Sequence, residues 1–192
     1  MFQSIRAKPR LRSRLTAALA VVCLLMGGVL VAAPAHGAPS GLLDVTCTVP
    51  SSEATTYSPP LSLTPQTVAF SSTVQYGPCV SLSHPDVTSG SRSLQVNVPN
   101  RTCLALLETA PSNYTITWNT GQTSTITGNR TATVVGATLV VTVTGNVTSG
   151  LFNGDTVVQT SIGPATDILA CTLGLGTVAS VYSTVTLEIT SL

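Results

Sequence analysis

Asn113-Tyr-Thr-Ile-Thr-Trp-Asn-Thr-Gly-Gln-Thr-Ser-Thr-Ile-Thr127 decides the fold class of this chain. Tyr114, Ile116 and Trp118 alternate with Thr115, Thr117 and Asn119, the two-residue period of a strand with one face buried. Asn119 to Gln122 supplies turn chemistry, and Thr123 to Thr127 resumes a β-prone run. The stretch therefore predicts a central β-hairpin, with the only tryptophan of the chain in the core. Its sole titratable side chain is Tyr114, so nothing in it moves a proton near neutral pH.

Outward from the hairpin, short runs and punctuation continue in both directions. Leu43 to Val49 reads as a first strand, and Pro50 to Pro65 as a polar, proline-rich loop. Val68, Phe70, Val74 and Tyr76 share one face of the next strand, which Gly77-Pro78 ends. Ser81 to Ser91 reads as a loop, Leu94, Val96 and Val98 as a strand face, and Cys103 to Glu108 as a strand or one helical turn. Beyond the hairpin, Thr131–Val135 and Thr138–Thr144 flank a Gly136-Ala137 turn, and Asn153-Gly154 marks another. Thr156–Ser161 and Ile168–Leu173 are read as strands, with a bend at Gly174 and Gly176. In the last strand Val181, Val185, Leu187 and Ile189 oppose Thr184, Thr186, Glu188 and Thr190. No helical period emerges. About ten short strands predict an all-β fold, an immunoglobulin-like antiparallel β-sandwich with Greek-key-like connections, with a barrel as the structural alternative.

The first residues predict the compartment. Arg6, Lys8, Arg10, Arg12 and Arg14 precede an apolar run from Leu15 to Ala33, and Pro34 to Pro39 is rich in small residues. Basic, apolar, small is the order of a cleavable secretory signal peptide, placed at residues 1–38 with one domain at 39–192. A membrane anchor is the competing reading, since the run approaches the ~20 residues that span a bilayer. Gly27, Gly28 and the Ala-rich exit favour cleavage, and Cys23 belongs to the apolar run. The expected location is extracellular.

Past residue 38 the chain keeps Arg92, Arg101 and Arg130, no lysine, and seven acids, a net charge of −4. That balance argues against nucleic acid, which needs clustered Lys/Arg to neutralise phosphates, and against anionic membranes once the signal is removed. Four cysteines remain, Cys47, Cys79, Cys103 and Cys171. In an exported protein they read as two disulfides with three possible connectivities. Cys47–Cys79 with Cys103–Cys171 is favoured, because the first pair staples the N-terminal third to itself. Spacings of 32, 24 and 68 residues offer no Cys-x-x-Cys knuckle for zinc.

Catalytic groupings are sparse. His84 is the only histidine past residue 38, and it sits in Ser83-His84-Pro85-Asp86, a loop sequence; a triad needs geometry that proximity does not supply. Glycosidase chemistry needs two facing carboxylates, and the seven acids are scattered. Asn153-Gly154-Asp155 lacks the spaced carboxylates of a calcium loop. No catalytic residue, metal ligand or cofactor is expected. Tyr57, Tyr114 and Trp118 are the candidate ligand contacts, large polar aromatics able to stack on sugar rings. Alternation places Trp118 in the core, whereas Tyr57, in the proline-rich loop, is the freer of the three. The Thr-x-Thr runs read as solvated strand faces.

Tyr57-Ser58-Pro59-Pro60-Leu61, the Trp118 to Ser124 segment, Gly145 to Asp155 and Leu169-Ala170-Cys171 resemble segments of small secreted four-cysteine proteins of Streptomyces-type actinobacteria. The resemblance covers nearly all of residues 39–192 and implies export and a β-fold. It implies no activity and brings no site residues. The family pattern has Pro-Gly-Leu at Pro59-Pro60-Leu61, so Pro60 excludes a positive φ that glycine permits there.

The function expected from these readings is a secreted, non-catalytic, monomeric binding or structural module. Its expected partner is cell-wall or environmental polysaccharide, or a secreted protein. Protease inhibition through loop 50–65 or 81–91 and polysaccharide hydrolysis are the alternatives.

Overall fold

The computed structural model describes residues 42–191. The signal-peptide and Cys23 readings lie outside them. The described chain forms β1 (Leu43–Cys47), β2 (Ser52–Leu61), β3 (Gln66–Tyr76), β4 (Cys79–Ser81), β5 (Gly90–Arg101) and β6 (Ala110–Trp118). These are followed by β7 (Thr123–Val135), β8 (Thr138–Gly150), β9 (Thr156–Pro164), a short helix α1 (Thr166–Thr172) and β10 (Val178–Thr190). A 3-10 turn spans Cys103–Leu106.

The sheet is a closed antiparallel barrel of eight strands, which overturns the expected sandwich. Its order is β2-β3-β5-β6-β7-β8-β9-β10, and β10 pairs back onto β2 from Val178–Leu61 to Thr184–Ser52. Each of these strands bonds to the next one in sequence, an up-and-down path rather than a Greek key. β1 prolongs the line of β2 along β10, and β4 prolongs that of β3 along β1. Alternating burial is the same in a sandwich face and a barrel wall, so the strand period does not separate them. Closure rests on β2, which stands where a proline-rich loop was expected. Pro59 and Pro60 have no N–H to donate, and they fall beyond Ser58–Ala69 of the β3 ladder. On the other side they face the register shift of β10 between Val178 and Ser180, a bulge position where proline is tolerated.

The central hairpin forms as the sequence predicts, with Thr117 opposite Thr123 and Tyr114 opposite Ile126. β7 runs on through Gly128 to Val135 as one strand, and β8 through Gly145 to Gly150. Gly128 lies opposite Gly145, and a Cβ on either would run into backbone of the other strand, Thr144 or Thr127. The expected strand at Ile168–Leu173 is α1 instead. Ile168 and Cys171, three apart and both buried, face the barrel end together, a spacing too short to register as a helical period.

The interior has two apolar ends. One holds Trp118, Ile116, Ile126, Val147, Val185 and Leu187, with Cys47 and Cys79 disulfide-bonded beside Tyr76. The other holds Leu61, Val68, Leu106, Leu139 and Ile168, where a Cys103–Cys171 disulfide ties the 3-10 turn to α1. Both bridges match the favoured connectivity. No helix among the described residues is long and apolar enough to cross a membrane.

Candidate functional site

Between the apolar ends the inward positions turn polar. Glu53 and Thr55 of β2, Ser72 of β3, Arg92 of β5, Tyr114 of β6, Gln159 and Ser161 of β9 and Ser183 of β10 line one cavity of about 270 Å³. Each occupies the inward parity of its strand, shared with buried Tyr57, Val74, Gly90, Ile116, Val157 or Val185. An eight-stranded barrel is just wide enough for side chains to fill or for one small ligand.

The belt is hydrogen-bonded within itself. Glu53 accepts from Ser72 Oγ (2.9 Å) and Ser161 Oγ (3.1 Å), one on each carboxylate oxygen, and pairs with Arg92 at 3.5 Å. Arg92 Nε donates to Tyr76 Oη (3.1 Å), and its guanidinium lies 4.3 Å from the centre of the Tyr114 ring. Tyr76 and Tyr114 both donate to Gln159 Oε1, at 2.7 and 3.0 Å. Among the described residues the only buried side-chain polar atom without a partner is Thr46 Oγ1, which is not a member of the belt.

Burial pushes the Tyr76 phenol up to about 12 against the opposing Arg92 charge, and the Tyr57 phenol up to about 12 against Arg101 and Arg130. Tyr114 is pushed up as well, chiefly by burial. All three phenols therefore remain hydrogen-bond donors at neutral pH. Burial alone would lower Arg92, but Tyr76 and Glu53 outweigh it and hold the guanidinium above its ordinary value.

The cavity opens through the wall. β5 and β6 pair only at Gly90–Trp118 and Ser91–Thr117, and beyond that point they separate. Arg92, Leu94 and Arg101 of β5 and Pro111 to Tyr114 of β6 line the cavity along this seam, and Leu94 is 46% exposed. Arg101 and Arg130 stand at the same cavity near Tyr57. Arg130 donates to the carbonyls of Leu106 (2.7 Å) and Glu108 (3.1 Å), whereas no side-chain hydrogen bond or ion pair engages the Arg101 guanidinium among the described residues. A second hollow, across the outward residues Thr56, Ser71, Gln95 and Asn97, has no charged side chain.

The candidate contacts divide. Tyr57, buried in β2 with its ring 5.7 Å from Phe70, joins Tyr114 at the cavity, which corrects its placement in a loop. Trp118 is 2% exposed at the foot of the seam and donates from Nε1 to Ser124 Oγ (2.8 Å), so it is no sugar platform. His84 stacks edge-on with Phe152 at 5.4 Å, and no hydrogen bond among the described residues joins its ring to Ser83 or Asp86. No group of three or more His, Cys, Asp or Glu among the described residues is arranged to hold a metal. The strand pattern held a signal for the belt that hydrophobicity alone passes over. Glu53, Arg92, Arg130 and Gln159 are polar residues at positions whose neighbours two away face inward. No family model, curated protein or solved structure matches the chain.

Proposed function

We propose that this protein is a secreted, non-catalytic binding module that takes one small amphipathic molecule into the barrel through the β5–β6 seam. The observation that carries the reading is the cavity of about 270 Å³ reached where β5 and β6 stop pairing. Its walls offer what small-molecule sites need, apolar and aromatic surface in Tyr57, Phe70 and Leu106 with a few fixed polar groups. At a water's share of about 30 Å³, the space suits a molecule of roughly ten non-hydrogen atoms, too small for a polysaccharide chain. The single carboxylate of the belt, Glu53, is held by Ser72, Ser161 and Arg92, which supports binding over a two-carboxylate hydrolysis. Export is supported by the basic-apolar-small order of residues 1–38 and by the two disulfides.

The test is titration of the isotopically labelled protein with a set of neutral and charged amphiphiles of about that size. Resonance shifts at Tyr57, Leu94 and Tyr114 without shifts on the outward Thr115 and Thr125 are expected. Shifts confined to the outer wall, or binding only to insoluble glycans, would overturn the reading.

A further inference from the structure

Every arginine of the described chain lines one cavity. Arg92 and Arg101 of β5 and Arg130 of β7 are its only strong cations, in a region whose net charge is −4. One acid, Glu53, lines the same cavity, and it is paired with Arg92. The other six acids line no part of it. The guanidinium groups of Arg101 and Arg130 are left near each other without a carboxylate paired to either among the described residues.

Placing Arg101 beside Arg130 has a visible cost. Burial foremost, and also the Arg101 charge, draw Arg130 below its ordinary value, although the Tyr57 phenol and Glu53 oppose them. Like charges brought together at a partly desolvated site repel, and an anion between them reverses the sign. Arg130 spends part of its five-donor fork on the Leu106 and Glu108 carbonyls, which hold it in place and leave N–H groups over. Arg101 has its whole fork available. Beyond the pair, Tyr57, Phe70, Leu106 and Leu139 offer flat apolar surface deeper in the cavity.

We infer that the ligand is a small organic anion whose carboxylate or similar oxyanion binds between Arg101 and Arg130 while its apolar or aromatic body enters beside Tyr57 and Phe70. This rests on the reading of the barrel interior as a small-molecule site. The planar guanidinium fork matches a carboxylate in two parallel hydrogen bonds, which gives orientation as well as attraction. The acidic exterior then works as a filter. It repels anions in general, and the seam offers the one place of opposite sign.

The experiment is calorimetric titration of the purified protein with 3-phenylpropanoate and octanoate, each beside its neutral amide of the same shape. The expected result is that each carboxylate binds at least about tenfold more tightly than its amide. Arg101→Gln should abolish most of that preference, and since the Arg101 side chain has no partner in the fold and is repelled by Arg130, the melting temperature of the variant should not fall below that of the parent. Arg130→Gln should do the same with some loss of stability, because two backbone carbonyls lose their donor. Equal binding of acid and amide, unchanged by Arg101→Gln, overturns the anion assignment and leaves the cavity as a site for neutral ligands. No binding of either pair overturns the small-molecule reading itself.

Discussion

Between β7 and β8 pairing runs from Ser124–Gly150 to Val135–Thr138; between β5 and β6 it stops after Gly90–Trp118 and Ser91–Thr117. The two joints are equally antiparallel, and the difference lies in what the chain puts into each. At the first, Gly128 and Gly145 face each other with no side chain between the strands, so the backbones close up. At the second, Gly90 leaves room for the tryptophan, since a Cβ there would stand 2.8 Å from Trp118 Cε3 and 2.9 Å from Ile116 Cγ2. Above that foot the inward residues are Arg92, Leu94, Ser112 and Tyr114, and the strands part. Separated strands expose backbone groups that only water or a ligand can satisfy. The barrel is thus anchored by its largest side chain at the base of the opening that admits solvent to its charges.

The strongest way to break the contrast is at that foot. Trp118→Ala should cost about 3–5 kcal/mol, through lost burial, the cavity left behind and the loss of the indole N–H donor to Ser124 Oγ, whose own hydrogen bond to the Leu151 carbonyl remains. The urea midpoint reports it, and a loss below about 1 kcal/mol would mean the floor does not depend on this residue. Next comes the far end. Removing Cys103–Cys171 by paired alanines opens a 68-residue loop and should cost about 2–4 kcal/mol. Amides of β5 and β6 should then exchange faster with solvent while those of β7 and β8 stay protected. Uniform acceleration across all four strands would show that the seam is no weaker than the rest.

The belt yields a change of opposite sign in two measurements. Glu53→Gln should destabilise the fold by roughly 1–3 kcal/mol, because Arg92 keeps its buried position and loses its counter-charge. The same substitution raises the positive charge of the cavity, so 3-phenylpropanoate should bind more tightly, not less. Weaker binding in step with lower stability would place Glu53 among the ligand contacts instead.

The floor and the seam also differ in how far the sequence discloses them. Tyr114, Ile116 and Trp118 repeat at two residues, and the hairpin, its turn and the burial of Trp118 follow from that period alone. Barrel closure was hidden because it depends on one pairing, β2 with β10, between segments more than a hundred residues apart. The prolines that made residues 50–65 look like a loop sit at a bulge, where they cost no ladder bond. The cavity was hidden for a related reason. Glu53, Arg92 and Gln159 lie in strands that an apolar-in rule reads as facing water at those positions. Only the assembled belt, where Glu53, Arg92 and Gln159 each meet polar partners, explains why they face inward. The sequence could show three arginines but not that they meet.

Beneath the floor, the turn after β8 carries a smaller test. The Asp155 carboxyl is raised from 3.8 to about 6 by burial first, then by a hydrogen bond and charge from Asp44. A carboxyl raised on folding favours the native state while protonated, so its contribution is complete below about pH 4 and is lost as pH rises through about 6. The difference in stability between the parent and Asp155→Asn should therefore shift in favour of the variant on going from pH 5 to pH 7.5. A difference independent of pH would mean that folding does not raise the Asp155 carboxyl.

The smallest effect is expected on the outer wall, and it separates the hydroxyls outside from those in the belt. Thr115 and Thr125 face each other across the hairpin with their Oγ1 atoms 3.0 Å apart, exposed to solvent. Water replaces either partner at little cost, and valine has the β-branched shape that suits a strand. Thr115→Val should then change stability by no more than about 0.5 kcal/mol and leave carboxylate binding untouched. Ser161→Ala, which removes an equally small hydroxyl, strips a hydrogen bond from Glu53 inside the barrel and should cost more. If the two substitutions cost the same, the interior network would be no better insulated from water than the outer face.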